Sequence, residues 1–253
     1  MSSAIGASAQ RLDATGKVTG KTCFPGDLAR PDMLHMKILF AGRPHARMRS
    51  VDTRTAQAHP GVIAVFTAAD VPVNEYGLIN ADQPVLVGIG SDKAGADVAR
   101  FVGDQVALVV AESESAAAAA RELIEVTWED LPVVSDPRQS MRPDATPLFP
   151  GRESNIVKHN RIRKGEVQAA WPHCAVVAEA ESRTPSQEHA FLQPEAGLAY
   201  IDAEGRVTVE VAGQWLHEER DQIAHALGLS AEKVRVIHPA IGGAFGGRED
   251  LSV

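Results

Sequence analysis

Residues 106–128 have fewer ways to fold than any other part of this chain. The run VALVV at 106–110 is apolar and β-branched, and reads as a buried strand. Ser113 is placed to cap a helix, and Glu114 suits its positive end. Residues 116–123 are strongly helical by composition, and EVTW at 125–128 returns as a strand. Strand, helix and strand in this order predict an α/β layer with one helix packed on a sheet.

Around this unit the pattern predicts strands at 36–40, 48–51 and 62–66, the last continuous, apolar and buried. A helical turn starting at Asp52 or Thr53 should end at His59-Pro60-Gly61. Residues 71–100 are rich in Gly and Pro and read as loop. Pro132, Pro137, Pro143, Pro147 and Pro150 mark residues 132–151 as an extended linker. Beyond it, strands are predicted at 155–163 and 175–183 with a short helix at 165–171 between them. Residues 198–201 and 206–211 flank the turn Asp202-Ala-Glu-Gly205 as a β-hairpin. Residues 217–227 form an amphipathic helix ended by Gly228, and 234–237 form a strand.

The 253 residues suffice for two ordinary domains. A net charge of −8 with only 5% aromatic residues argues against a nucleic-acid partner. Cys23 and Cys174 make neither a disulfide framework nor a zinc signature and read as small buried hydrophobes. No apolar run reaches the ~18 residues of a membrane span. The start MSSAIGA lacks the pattern of a signal peptide, so a soluble cytoplasmic protein is expected.

After residue 237 comes Gly242-Gly-Ala-Phe-Gly-Gly-Arg-Glu-Asp250. Four glycines in six residues let backbone approach a ligand and expose its N–H groups; a tight structural turn is the competing reading. Gly242 and Gly247 have P-loop spacing, but Arg248 and Glu249 replace the required Lys and Ser/Thr, which excludes a P-loop. The spacing is not that of a dinucleotide fingerprint either. Gln214, between a strand and a helix, could serve a ligand or cap the turn. His189, near Gln193 and Glu195, is either a hydrogen-bonded or a catalytic histidine. His217-Glu-Glu-Arg-Asp221 lacks the second His of a zinc helix and reads as a solvated helix start.

Several phrases, in order, resemble the molybdopterin-binding subunit of the xanthine dehydrogenase/aldehyde oxidase family. They are DATGKVTGK at 13–21, AHPGVIAVFTAADVP at 58–72, VGDQVALVVA at 102–111, HAFLQPEA at 189–196, Gln214, and the glycine loop. The resemblance runs from about Leu12 to Val253. It implies an α+β protein: a loose N-terminus at 1–11, an α/β hammerhead domain at 12–133, a proline-rich linker at 134–151, and the first part of a molybdenum-cofactor-binding domain at 152–253. The GGAFGGRED form is similar to nicotinate-dehydrogenase-like and xanthine-dehydrogenase-like bacterial members, with Gln193 where many relatives have Glu and Arg248 where many have Lys.

The activity implied is that of an oxidoreductase, a molybdenum hydroxylase acting on an N-heterocycle or aldehyde. Its cofactor would be molybdenum–molybdopterin, as such or as the cytosine dinucleotide, with [2Fe–2S] and FAD on partner subunits or domains. Cofactor contacts are implied at Gln214, Gly243, Phe245 and Gly246; Gln214 and Phe245 would lie near the metal without ligating it. Glu249 would touch substrate. No catalytic residue is expected within the chain, because the family's general-base glutamate lies beyond this length, and such a base supplies ~10²–10⁴-fold. The chain is therefore expected to be inactive alone and to need a polypeptide carrying the rest of the molybdenum domain, an iron–sulfur subunit and an FAD subunit. The alternative is a truncated, non-catalytic assembly module. Either way the second segment should expose apolar side chains.

Overall fold

Alternation of small and branched side chains sets the first sheet in the computed structural model, which describes residues 5–249. The first half carries helix α1 (Ala14–Val18), strands β1 (His35–Phe40) and β2 (Ala46–Asp52), helix α2 (Arg54–Gln57), strands β3 (Val62–Phe66), β4 (Val98–Ala99) and β5 (Gln105–Ala111), helix α3 (Glu114–Arg121) and strand β6 (Glu125–Asp130). Strand β5 is central in a three-stranded antiparallel sheet of order β1-β5-β3. Its residues Ala107, Val109 and Ala111 are fully buried, as are Ala117 and Ala120 of α3. Alanines on both sides let helix and sheet approach closely. The Ser113 hydroxyl accepts from the Ala116 N–H at 3.2 Å and caps the helix as expected.

The predicted single layer is corrected in one respect. Strands β5 and β6 flank α3 but enter different sheets, since β6 pairs with β2 in a second sheet of order β4-β2-β6. One core joins them: Met48 and Ala99 pack with Val106 and Val109, and Val126 and Trp128 lie against the cluster. The run at 62–66 forms its strand but is not wholly buried. It lies at a sheet edge, where Ile63 and Phe66 are exposed and only Val65 is buried.

By mutual contacts the chain divides into two compact units, Met1–Leu131 with His189–Val253, and Pro132–Glu188. In the latter, helix α4 (Pro137–Ser140) interrupts the expected extended linker. The Asp136 carboxylate accepts from the N–H groups of Arg138 and Gln139, and Pro137 fits the first turn because its missing N–H is not needed there. Helix α5 (Val167–Ala170) matches the predicted short helix. The strands expected at 155–163 and 175–183 do not form; these residues pair with no strand among the described residues. A strand needs a ladder partner, and local pattern cannot supply one. Ile162, Trp171, Val176 and Val177 are exposed, as expected for this segment. Both cysteines are exposed rather than buried.

The remaining elements are strands β7 (Gly197–Ile201) and β8 (Val207–Val211), helix α6 (Leu216–Ala226) and strand β9 (Val234–Ile237). Strand β8 pairs antiparallel with β7, giving the predicted hairpin, and parallel with β9. Helix α6 is the crossover that a parallel pair requires. It also meets residues 73–77: the Val73 N–H donates to the Ala226 carbonyl at 3.1 Å, and the Gly77 N–H to Gln222 Oε1 at 3.2 Å. Glu75 receives His225 at 3.0 Å and Lys93 at 3.2 Å, and these partners hold its carboxyl below the usual range.

Candidate functional site

Strands β8 and β9 run side by side in the same direction, with Glu210 opposite Ile237. Their C-terminal ends therefore open together, the place where parallel strands present ligand-binding loops. Gln214 follows the first strand and the glycine loop follows the second, so topology alone makes them neighbours. The Gln214 Oε1 accepts from the N–H groups of Gly246 at 3.0 Å and Arg248 at 3.3 Å, while its own N–H donates to the Arg248 carbonyl at 2.9 Å. Two donors facing the oxygen fix the carboxamide orientation and turn its NH₂ away from the loop. Among the described residues that NH₂ has no acceptor.

Residues 189–195 form the opposing wall. The Gly242 N–H donates to Gln193 Oε1 at 2.7 Å. Arg248, wholly buried, donates to Glu195 at 2.9 Å, to the Gly243 carbonyl at 2.8 Å and to the Gln193 carbonyl at 3.0 Å, and lies over the Phe191 ring. The planar fork of arginine satisfies this spread of acceptors, which the point charge of lysine does not match. A Cβ at Gly242 would come within 2.6 Å of the Gln193 side chain, and one at Gly247 within 3.0 Å of Phe191. Here the glycines are needed for close packing. At Gly243 (φ 110°) and Gly246 (φ 95°) they are needed for backbone conformation as well.

Phe245 adopts φ 55° without being glycine, and the residue is 76% exposed. A left-handed phenylalanine with an unburied ring is backbone strain without packing gain, the pattern found at functional loops. Around it, the N–H groups of Gly243, Ala244 and Phe245 have no acceptor among the described residues, whereas those of Gly242, Gly246, Gly247 and Arg248 are all satisfied. The loop thus presents consecutive unpaired donors on a backbone pinned at both ends. Such a nest suits an anionic or oxygen-rich ligand. The predicted residues Gln214, Gly243, Phe245 and Gly246 come together here. Glu249 lies half-buried beside Gly246, with Oε1 4.0 Å from where a Cβ there would sit. His189 is exposed and abuts Gly246 and Gly247. Asp250, which ends the motif, lies outside the described residues.

The reading of 217–221 as a solvated helix start is corrected at Glu219, which is 1% exposed. Its Oε2 lies 2.5 Å from His238 Nε2. A signal for this was available: Glu219 falls three residues after Leu216 and four before Ile223, on the apolar stripe of α6. The structural role of Arg248 was not legible, because its acceptors are main-chain carbonyls and Glu195, far away in sequence.

A family model described as the aldehyde oxidase and xanthine dehydrogenase a/b hammerhead domain matches residues 19–132, and one described as the molybdopterin cofactor-binding domain matches residues 148–253. The chain is 36% identical over 244 residues to a probable xanthine dehydrogenase subunit of Bacillus subtilis, covering 96% of this chain and 31% of that protein. It is 34% identical over 250 residues to the nicotinate dehydrogenase large molybdopterin subunit of Eubacterium barkeri, covering 98% and 56%. The fold is similar to the aldehyde oxidoreductase of Desulfovibrio gigas with a TM-score of 0.83 at 28% identity, covering 94% of this chain and 27% of that one. The chain therefore spans about a third to about half the length of the curated relatives named.

Proposed function

Since the chain belongs to the xanthine dehydrogenase/aldehyde oxidase family, we propose that it forms the hammerhead domain (residues 12–133), linker (134–151) and opening part of the molybdenum-cofactor-binding domain (152–253) of a molybdenum hydroxylase. The observation that carries this reading is the row of unpaired N–H donors at Gly243, Ala244 and Phe245 beside the Gln214 carboxamide. These residues fit a molybdenum–pterin group: the donors are neutral and carried on a backbone held at both ends, and the buried charge of Arg248 is spent on Glu195 and carbonyls rather than on a ligand.

When bound, that group supplies the two-electron oxidation that hydroxylates an electron-poor carbon of an N-heterocycle or aldehyde. The chain's own residues bind and orient. The Gln214 NH₂ donates toward the cofactor because its oxygen is held by the loop. The N–H groups of residues 243–245 hydrogen-bond its oxygen-rich face. Phe245 and Gly246 shape the approach, and Glu249 accepts a hydrogen bond from substrate. Partners carrying [2Fe–2S] and FAD accept the electrons.

The test is purification of the chain with its native partners, followed by assay of molybdenum, pterin, iron and flavin. Co-purifying molybdenum and turnover of nicotinate, xanthine or an aldehyde are expected. A chain carrying no molybdenum together with its partners would overturn the reading.

A further inference from the structure

Among the described residues, Glu219 carries the most deeply buried carboxylate, and the cofactor contacts leave it unexplained. It is 1% exposed, its Oε2 is 2.5 Å from His238 Nε2, and its Oε1 has no partner among the described residues. Burying an acid with one oxygen unpaired costs free energy, so the arrangement needs a compensating role. Its location supplies one. Glu219 sits in the first turn of α6 and its carboxyl lies flat on Gly213, where a Cβ would be 1.8 Å from Oε1. Gly213 immediately precedes Gln214. His238 immediately follows β9 and begins the path to the glycine loop. The pair therefore clamps the two chain segments that carry the candidate cofactor contacts.

We propose that Glu219 and His238 are positioning residues that hold Gln214 in register with the glycine loop, so that the Gln214 oxygen meets the N–H groups of Gly246 and Arg248. The inference rests on the proposed cofactor site for its functional meaning, but the clamp itself is a property of the polypeptide. Neither side chain needs to touch the cofactor. The alternative, a carboxylate retained only to fill the space over Gly213, predicts that His238 is dispensable for the order of the loop.

The test is hydrogen–deuterium exchange on the full chain in its native complex, comparing wild type, Glu219→Gln, Glu219→Ala and His238→Ala, with molybdenum content measured on the same samples. In Glu219→Ala and His238→Ala the amides of Gly246 and Arg248 should exchange on the order of five- to tenfold faster, the effect of losing about one net hydrogen bond, while those of β8 and α6 stay protected. Glu219→Gln, which can still accept from His238 Nε2–H, should restore most of that protection. Faster exchange spread evenly over β7, β8 and β9, or unchanged exchange at Gly246 and Arg248 in both alanine variants, overturns the proposal. If Glu219→Ala fails to fold, His238→Ala and Glu219→Gln decide it alone. Wild-type molybdenum content reports on the cofactor site independently, so a chain without molybdenum whose loop still depends on Glu219 would sink the function and keep the clamp.

Discussion

The guanidinium of Arg248 donates to the main-chain carbonyl of Gln193 at 3.0 Å across 55 residues of sequence, inside the protein and out of reach of water. The contact joins the wall at 189–195 to the glycine loop, alongside the Arg248–Glu195 pair and the Gly242 N–H on Gln193 Oε1. A second arm of the same guanidinium takes the Gly243 carbonyl, so the loop folds around the arginine side chain.

Replacing Arg248 by lysine tests how far that fork matters. Lysine can reach one of these acceptors but not all of them in one geometry. At least one carbonyl is left without a donor, which costs about 1–3 kcal/mol. Arg248→Lys is therefore expected to destabilise the protein by that amount in denaturant unfolding, and Arg248→Ala by roughly 2–4 kcal/mol, two carbonyls being orphaned. Equal stability of the lysine variant and wild type would show that the fork is not needed.

Gly213 offers a test of packing rather than of hydrogen bonding. An added methyl would lie 1.8 Å from Glu219 Oε1, and the carboxylate cannot retreat without leaving His238. Gly213→Ala should cost about 1–3 kcal/mol, the usual penalty of overfilling a packed site. In a Glu219→Ser background the clash is gone, and the same substitution should be close to neutral. A double-mutant cycle by thermal or denaturant melting reads the coupling directly; additive effects would mean that the methyl is accommodated elsewhere.

What was legible in the sequence followed from local chemistry. Ser113, the alanine run behind it and Gly228 after α6 announce their helix ends, and the turn at 202–205 announces its hairpin. The neighbourhood of Gln214 and the glycine loop was legible through family phrases, and the parallel pairing of β8 with β9 supplies its physical cause. What was not legible depended on distant partners. Strands β5 and β6 part into two sheets because β2 captures β6, a choice no window of sequence contains. The segments at 155–163 and 175–183 have strand-like composition but no ladder to join. The charge of Glu219 points to solvent, but its place on the apolar stripe of α6 buries it.

The β7–β8 hairpin carries a pH dependence whose sign follows from Asp202. Its carboxylate accepts from the N–H groups of Glu204 and Arg206 and from the Arg206 and Thr208 side chains at 2.9–3.1 Å. The Arg206 backbone N–H is the largest cause holding its pKa down at about 2, with the Arg206 and Thr208 side chains adding to it against desolvation. In the unfolded chain the group titrates near the ordinary value of about 3.9. The unfolded state thus binds the proton first as pH falls, and the stabilisation is complete above about pH 4 and lost on descent through about pH 2. Asp202→Asn should flatten stability against pH across that window, measured by denaturant midpoints at successive pH values. A variant with the wild-type slope would assign the acid sensitivity to other carboxylates.

Phe245 separates function from folding most cleanly. The residue is 76% exposed, so Phe245→Ala removes little buried surface and should change stability by no more than about 0.5 kcal/mol. The left-handed backbone at φ 55° is retained, since alanine meets the same steric objection as phenylalanine there. If the exposed ring instead guards the approach to a bound molybdenum–pterin group, the variant purified with its partners should lose molybdenum or turnover while melting like wild type. The informative contrast is with Phe245→Gly, which relieves the strain and frees the loop: it should lower molybdenum content further. Molybdenum and turnover unchanged in both variants would remove Phe245 from the site and leave the strained backbone without a functional account.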